Sequence, residues 1–223
     1  MSKVVGLLSF YDETEAFLHR LIASLPLAGV EHLVALDGRY QTFPALEDVS
    51  PSEQHEAIEA ACDMAGIGLT LHVQGPWASE IEKRSALFAL GEKHTQPDDW
   101  YWIADGDEQV THAQHVHDVL DHTPFDVAQV TMTGRDANPQ FPKYFRAIRG
   151  LHVYANHYTY RTPDHRYLWG NQRTTLLQPR AIVNLTVHHH ERTARRRTQA
   201  VGYYATRDQA GDLEHHNPLR HAA

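Results

Sequence analysis

Two aspartates separated by one residue, Asp105-Gly106-Asp107, directly follow the apolar run Trp100 to Ala104. A glycine between them lets the chain turn tightly, so that both carboxylates project to one rim. Such a pair suits a hard divalent cation. Mg2+ or Mn2+ takes one or two protein carboxylates and fills its other positions with water and phosphate oxygens. The same cation would keep an acidic site from repelling a diphosphate. A lone Asp-Gly-Asp is otherwise a solvated turn, and its place after a buried strand favours the cation. Gln109 and Val110 follow where an EF-hand loop needs further oxygen ligands and a glycine, which excludes that loop.

Imidazoles are a second source of ligands. The chain has 18 histidines, and His188-His189-His190 stand together after the apolar alternation Val183, Leu185, Val187. If the alternation persists, His188 and His190 share the face opposite the apolar row, and His189 continues that row. A polar strand end with no ligand role is the alternative. Arg192, Arg195, Arg196 and Arg197 come next, and guanidinium groups bind phosphate oxygens through directed pairs of hydrogen bonds. A solvated basic face accounts for them as well, and a lid ordered by ligand reconciles the two readings. Tyr203 and Tyr204 could add contacts. Among the tryptophans, Trp100 and Trp102 lie within the apolar run and read as core, whereas Trp77 and Trp169 read as ligand-facing.

These residues need a scaffold, and 223 residues with 42% hydrophobic and 22% charged side chains suffice for a globular core without disulfides or metal staples. Lys and Arg number 20 against 28 Asp and Glu, and the net charge of −8 argues against a general nucleic-acid coat. Cys62 is the only cysteine, which excludes an intramolecular disulfide framework and a zinc site built on paired cysteines. A reducing, cytoplasmic setting follows as the simpler expectation. The first apolar run reaches acids by Asp12, too short for a secretory leader. No run approaches the ~18 apolar residues of a membrane span.

Residues 4 to 8 and 32 to 36 read as buried strands, with a helix between them from about Thr14 to Pro26. Ser50-Pro51-Ser52-Glu53 reads as a capping box that opens a helix ending near Gly66. Leu69, Leu71 and Val73 alternate as a third strand, and Ser79 with Glu82 caps the next helix before the strand Trp100 to Ala104. This succession predicts a largely parallel sheet covered on both faces, with ligands beyond the carboxyl ends of the strands. Those ends carry Phe10, Tyr11 and Asp12, then Asp37 and Gly38, Gly75 to Trp77, and Asp105 to Glu108. The second half is less regular. It offers strands at Val127 to Met132 and Ile182 to Val187, a Pro- and aromatic-rich acceptor-side stretch from Asn138 to Trp169, and a tail from about Asp208.

Three segments in this order resemble glycosyltransferases of the GT-A fold, especially the family 2 type: VVGLLSFYDETEAFLHRLIASL, HLVALDGR and ASEIEKRSALFALGEKHTQPDDWYWIADGDE. The likeness covers residues 4 to 110 and continues loosely through KYFRAIRGLHVYANHY. It implies an α/β GT-A (Rossmann-like) fold, with a mostly parallel central sheet flanked by helices and a less regular acceptor-side region. It also implies one domain over 1–223, with a nucleotide-sugar half at 1–110, an acceptor and metal-ligand half at 111–207, and a tail at 208–223. Carried over, Asp37 would contact the uracil or ribose, Arg84 with Lys83 the donor, Asp105 the ribose or sugar, and Asp107 the metal. Phe10, Tyr11 and Asp12 border the nucleotide, and Arg196 is the arginine assigned to the diphosphate. His188 and His190 are the expected further ligands of Mn2+ or Mg2+, with His189 open as the third choice.

The implied activity is metal-dependent, inverting transfer of a hexose from a nucleoside diphosphate sugar, a UDP-hexose first, to a protein, glycan, lipid head group or modified nucleobase. Many relatives have His-Glu where this chain has Asn156-His157-Tyr158, which leaves Asp136 and Asp164, with Glu108 third, as general-base candidates. A nucleotidyltransferase would show a Gly-rich basic loop after the first strand, which SFYDETE lacks. A non-catalytic nucleotide-sugar binder is a further alternative. A histidine-based zinc hydrolase is weaker, because the histidines and acids form no tight His-x-x-x-His pattern.

Overall fold

Side-chain alternation along the first strand sets two layers. In β1 (Val4–Ser9), Val4 and Leu8 join one apolar cluster and Val5 and Leu7 the other, all four buried. A computed structural model of the protein describes residues 1–43, 45–135, 137–154, 159–169, 180–191 and 193. Helix α1 (Glu15–Ser24) follows, then β2 (Val30–Asp37), α2 (Ser52–Ala65), β3 (Gly68–Val73), α3 (Glu80–Gly91) and β4 (Trp100–Ala104). Leu18, Leu21 and Ile22 of α1 and Ile58, Ala61 and Cys62 of α2 cover the Val4 and Leu8 side, whereas Leu87 and Phe88 of α3 cover the Val5 and Leu7 side. Each of these leucine, isoleucine, valine and phenylalanine side chains taken out of water stabilises the fold by about 1.5–3 kcal/mol.

The second half adds β5 (Glu108–Gln114), α4 (Val116–His122), β6 (Val127–Gly134) and β7 (Asn138–Arg146). The short strands β8 (His152–Val153), β9 (Tyr160–Arg161) and β10 (Tyr167–Trp169) come next, and then β11 (Ala181–His189). The main sheet has the order β3-β2-β1-β4-β7-β6-β11-β5. Only β7 and β5 run against the rest, so six of its eight strands end on the same side. This is the mostly parallel α/β sheet flanked by helices that the alternation predicts. The short step from Gly134 to Asn138 is what an antiparallel pair allows and a parallel pair does not. Strands β8 to β10 form a separate sheet whose Val153, Tyr160 and Leu168 pack into the α3 layer. Among the described residues, no helix is long and apolar enough to cross a membrane.

One expected cap forms and the other does not. The Ser79 hydroxyl accepts the Glu82 N–H at 3.1 Å, and the Glu82 carboxylate accepts the Ala78 N–H at 2.7 Å, which fixes the start of α3. Helix α2 instead begins at Ser52 after Pro51 with no side-chain cap, because Ser50 is engaged elsewhere.

Candidate functional site

At the carboxyl ends of β1 and β2, chain-end carbonyls would be left without partners, and a buried lysine supplies them. Lys83, one turn into α3, donates to the carbonyls of Phe10 at 2.5 Å and Gly38 at 2.6 Å. Burial lowers its ammonium pKa to about 7, against the opposing pull of Asp37. Asp37 is also fully buried. It accepts the Ser50 N–H at 2.7 Å and the Ser50 hydroxyl at 2.6 Å, with His55 Nε2 at 2.9 Å. The Ser50 oxygen in turn accepts the Asp12 N–H at 2.8 Å, and the Tyr11 hydroxyl donates to the Glu47 carbonyl at 2.7 Å. Asp37 and Lys83, expected on the nucleotide, bond inward and hold the loops after β1 and β2. Phe10 is buried beside His55, and the Trp77 indole donates to the Asp37 carbonyl from a buried position rather than facing ligand.

The turn after β4 carries a second arrangement, made of charged groups bonded to one another. Arg84 Nη2 donates to Asp105 Oδ1 at 3.0 Å and Arg84 Nε to Glu80 at 3.1 Å. Lys143, buried in β7, donates to Glu108 Oε2 at 2.6 Å and to the Ile103 carbonyl at 2.9 Å, and lies 3.8 Å from Asp105 Oδ2. Arg135 Nη1 donates to Asp107 Oδ2 at 2.9 Å, and His189 Nε2 lies 3.0 Å from Asp107 Oδ1. Arg135 and His189 also touch each other. Gly106 permits the close approach of Glu13, whose Cγ would lie 2.9 Å from an added Cβ. Gly134, at φ +87°, sends the chain into Arg135 where a Cβ would lie 2.2 Å from the His189 carbonyl.

Burial raises the cost of ionising Asp105, but Arg84 and Lys143 outweigh it and hold the carboxyl well below the usual range. Asp107 is shifted down in the same way, with His189 and then Arg135 overcoming burial. At Glu108 burial wins over Lys143, and its carboxyl is raised. Arg84, Asp105, Lys143, Phe141, Tyr160 and Trp169 line a narrow recess with about 10 Å³ of free space, room for roughly one water molecule.

The histidine run shows the expected alternation, since Val183, Leu185, Val187 and His189 are all buried in one row. The pairing of His189 with Glu108 across β11 and β5 carries that row to Asp107. His189 is thus the imidazole at Asp107, whereas His188 and His190 sit on the other face with rings 4.7 Å apart and His190 stacked on Phe17. Asp164 is not brought to this end. It is exposed beside Thr162, its neighbour Pro163 packs against Gly150, and Gly150 bonds Glu92 just beyond the C-terminus of α3. Asp136 and Arg196 lie outside the described residues, as do Asn156-His157-Tyr158, Arg192, Arg195, Arg197, Tyr203, Tyr204 and the tail from Asp208.

The sequence reading passed over Lys143, Arg135, Ser50, His55 and Glu80. Lys143 had a usable signal: a lysine inside the strand segment FPKYF must be paired if the strand is central. The expected divalent cation meets a poor fit. Both Asp107 oxygens and one Asp105 oxygen already bond cationic or imidazole groups, and an ion joining the two aspartates would displace Arg135 and His189 and sit beside Arg84 and Lys143. Among the described residues, no group of three or more His, Cys, Asp and Glu side chains is arranged to hold a metal.

No protein-family model matches the chain, and no curated protein does. Among solved structures, the chain is similar to the mannosyltransferase PcManGT from Pyrobaculum calidifontis in complex with GDP-Man and Mn2+. Identity is 11% over 65% of this chain and 44% of that one, at a TM-score of 0.45. The chain spans less than half the length of that protein.

Proposed function

We propose that the protein is a glycosyltransferase that holds a nucleoside diphosphate sugar at the carboxyl ends of its parallel strands and passes the sugar to an acceptor. The observation that carries this reading is the convergence of Arg84, Asp105, Asp107, Arg135 and His189, from four separate segments, at that end. Asp105, held ionised, accepts hydrogen bonds from sugar or ribose hydroxyls, and Arg84 fixes its direction. Tyr160 and Trp169 form the apolar wall of the recess. Cations placed in advance stabilise charge developing on the departing diphosphate, which is the main catalytic demand of such a transfer. Tyr11 and Asp12 border the nucleoside, on loops that Asp37 and Lys83 secure. In this reading residues 1–110 form the donor half and 111–207 the acceptor half, and UDP-hexose is the first donor to try.

The test is the thermal shift with UDP, GDP and dTDP, followed by sugar-release assays with the matching donors. One nucleotide at about 100 times its Kd should raise Tm by roughly 5–10 °C, and Asp105→Asn should lose most of that shift. No shift with any nucleotide refutes the reading. One observation favours a second reading, binding without transfer. Among the described candidates, Glu108 is buried against Lys143 and Asp164 sits at the far end, so neither of these two is placed to take an acceptor proton. A nucleotide shift with no sugar release from any donor would establish it.

A further inference from the structure

We infer that this donor site needs no divalent cation, because Arg135 occupies the cation's place on Asp107 and itself serves the diphosphate. The inference rests on the nucleotide-sugar reading above. An Asp-x-Asp turn calls for a dication when its carboxylates are otherwise uncompensated, since they would repel a diphosphate. Here each is compensated from within the chain: Asp105 by Arg84, Asp107 by Arg135, and Glu108 by Lys143. A dication entering this cluster would gain little attraction and would stand beside three fixed positive charges.

The backbone confirms that Arg135 is built into this position. Its N–H donates to the His189 carbonyl at 3.0 Å, and Gly134 supplies the left-handed turn that no side chain could share with that carbonyl. Asp107 holds the guanidinium at 2.9 Å, and the Arg135 side chain keeps 19% of its surface open at the ligand end of the sheet. A guanidinium binds phosphate oxygens through paired, directed hydrogen bonds. Asp107 is then the positioning residue for Arg135 rather than a metal ligand, and His189 touches both Asp107 and the same guanidinium.

The experiment is calorimetric titration of the full chain with UDP, GDP and dTDP, once in EDTA and once in Mn2+. The inference expects one nucleotide to bind with the same Kd, within twofold, in both buffers. Arg135→Ala should weaken binding in EDTA at least tenfold. It should also make binding respond to Mn2+, because Asp107 is released. Arg135→Lys should keep part of the metal-free affinity. Binding to the unaltered protein only when Mn2+ is present overturns the inference and leaves the nucleotide-sugar reading intact. No binding in either buffer overturns both. An Arg135→Ala protein that binds in EDTA like the parent removes Arg135 from the site. The unaltered protein decides the metal question by itself if a variant fails to fold.

Discussion

The amino end of the central sheet and the 105–108 turn at its carboxyl end use their charged side chains in opposite ways. At the amino end, charges meet backbone: Asp99 accepts the N–H groups of Lys3 at 2.8 Å and Gln96 at 2.7 Å. Arg146 there lies 4.0 Å from the centre of the Trp100 ring and donates to the carbonyls of Asp98, Thr123 and Phe125. At the 105–108 turn, Arg84, Lys143 and Arg135 meet Asp105, Glu108 and Asp107 instead, whereas Lys83 and Asp37 at the ends of β1 and β2 bond backbone as the amino end does. Side chain to backbone bonds are the commoner kind, and they close loops. A network of charges withdrawn from water gains little stability against its desolvation. The amino end is therefore organised for folding, and the 105–108 turn maintains a charge pattern that gains little stability.

The largest effect that would sharpen this contrast is expected at Lys143. Lys143→Met strands Glu108 and leaves Asp105 with one partner fewer, so unfolding in urea should show a loss of about 3–5 kcal/mol. Adding Glu108→Gln to that variant should recover most of the loss, because the buried charge is then gone. A double variant as unstable as the single one would mean that the pair stabilises the fold outright and that the two ends do not differ in kind.

A smaller effect is expected from Arg146→Ala at the amino end. It removes carbonyl caps that water can partly replace, so the loss should be about 1–3 kcal/mol. Its nucleotide affinity should match that of the parent protein, whereas Arg84→Met should abolish binding while the protein remains folded. Equal loss of affinity in both variants would break the division between the ends.

Much of the first half was legible because each buried strand is a short apolar run closed by Gly, Asp or Ser, and α1 and α3 carry apolar residues at helical spacing. Ser50 was misread for a physical reason: Ser50 and Glu53 have the spacing of a local cap, while the actual partner, Asp37, is 13 positions away. The ionic cluster was hidden in the same manner. Lys143 meets Glu108 across 35 positions and His189 meets Asp107 across 82, contacts set by strand order rather than by spacing. The alternation Val183, Leu185, Val187 did place His189 on the inner row, but only the pairing with β5 shows that this row reaches Asp107. Asp164 could not be located because β8 to β10 leave the main sheet and no periodicity marks where they turn.

The smallest effect concerns pH at the amino end. His32 and His94 stack there with ring centres 4.2 Å apart, and both reach the Thr70 hydroxyl, at 3.0 and 3.1 Å. Burial, then the His94 ring and Lys3, lowers the His32 pKa to about 4, and burial followed by Lys3 and Lys93 lowers that of His94. An unfolded imidazole titrates at about 6.5, so between pH 6.5 and about 4 the unfolded chain binds the protons that the folded pair resists. The contribution of the pair is fully present above pH 6.5 and is lost as pH falls toward 4. Because both rings are partly exposed, solvent screening tempers the effect. His32→Gln, which keeps a partner for Thr70 and removes one titrating ring, should flatten the decline. Between pH 7 and pH 5 its Tm should fall by roughly 2–4 °C less than that of the parent. Parallel curves would show that the stacked pair carries no pH sensitivity. A shift in nucleotide affinity over the same range that His32→Gln abolishes would show that the two ends communicate.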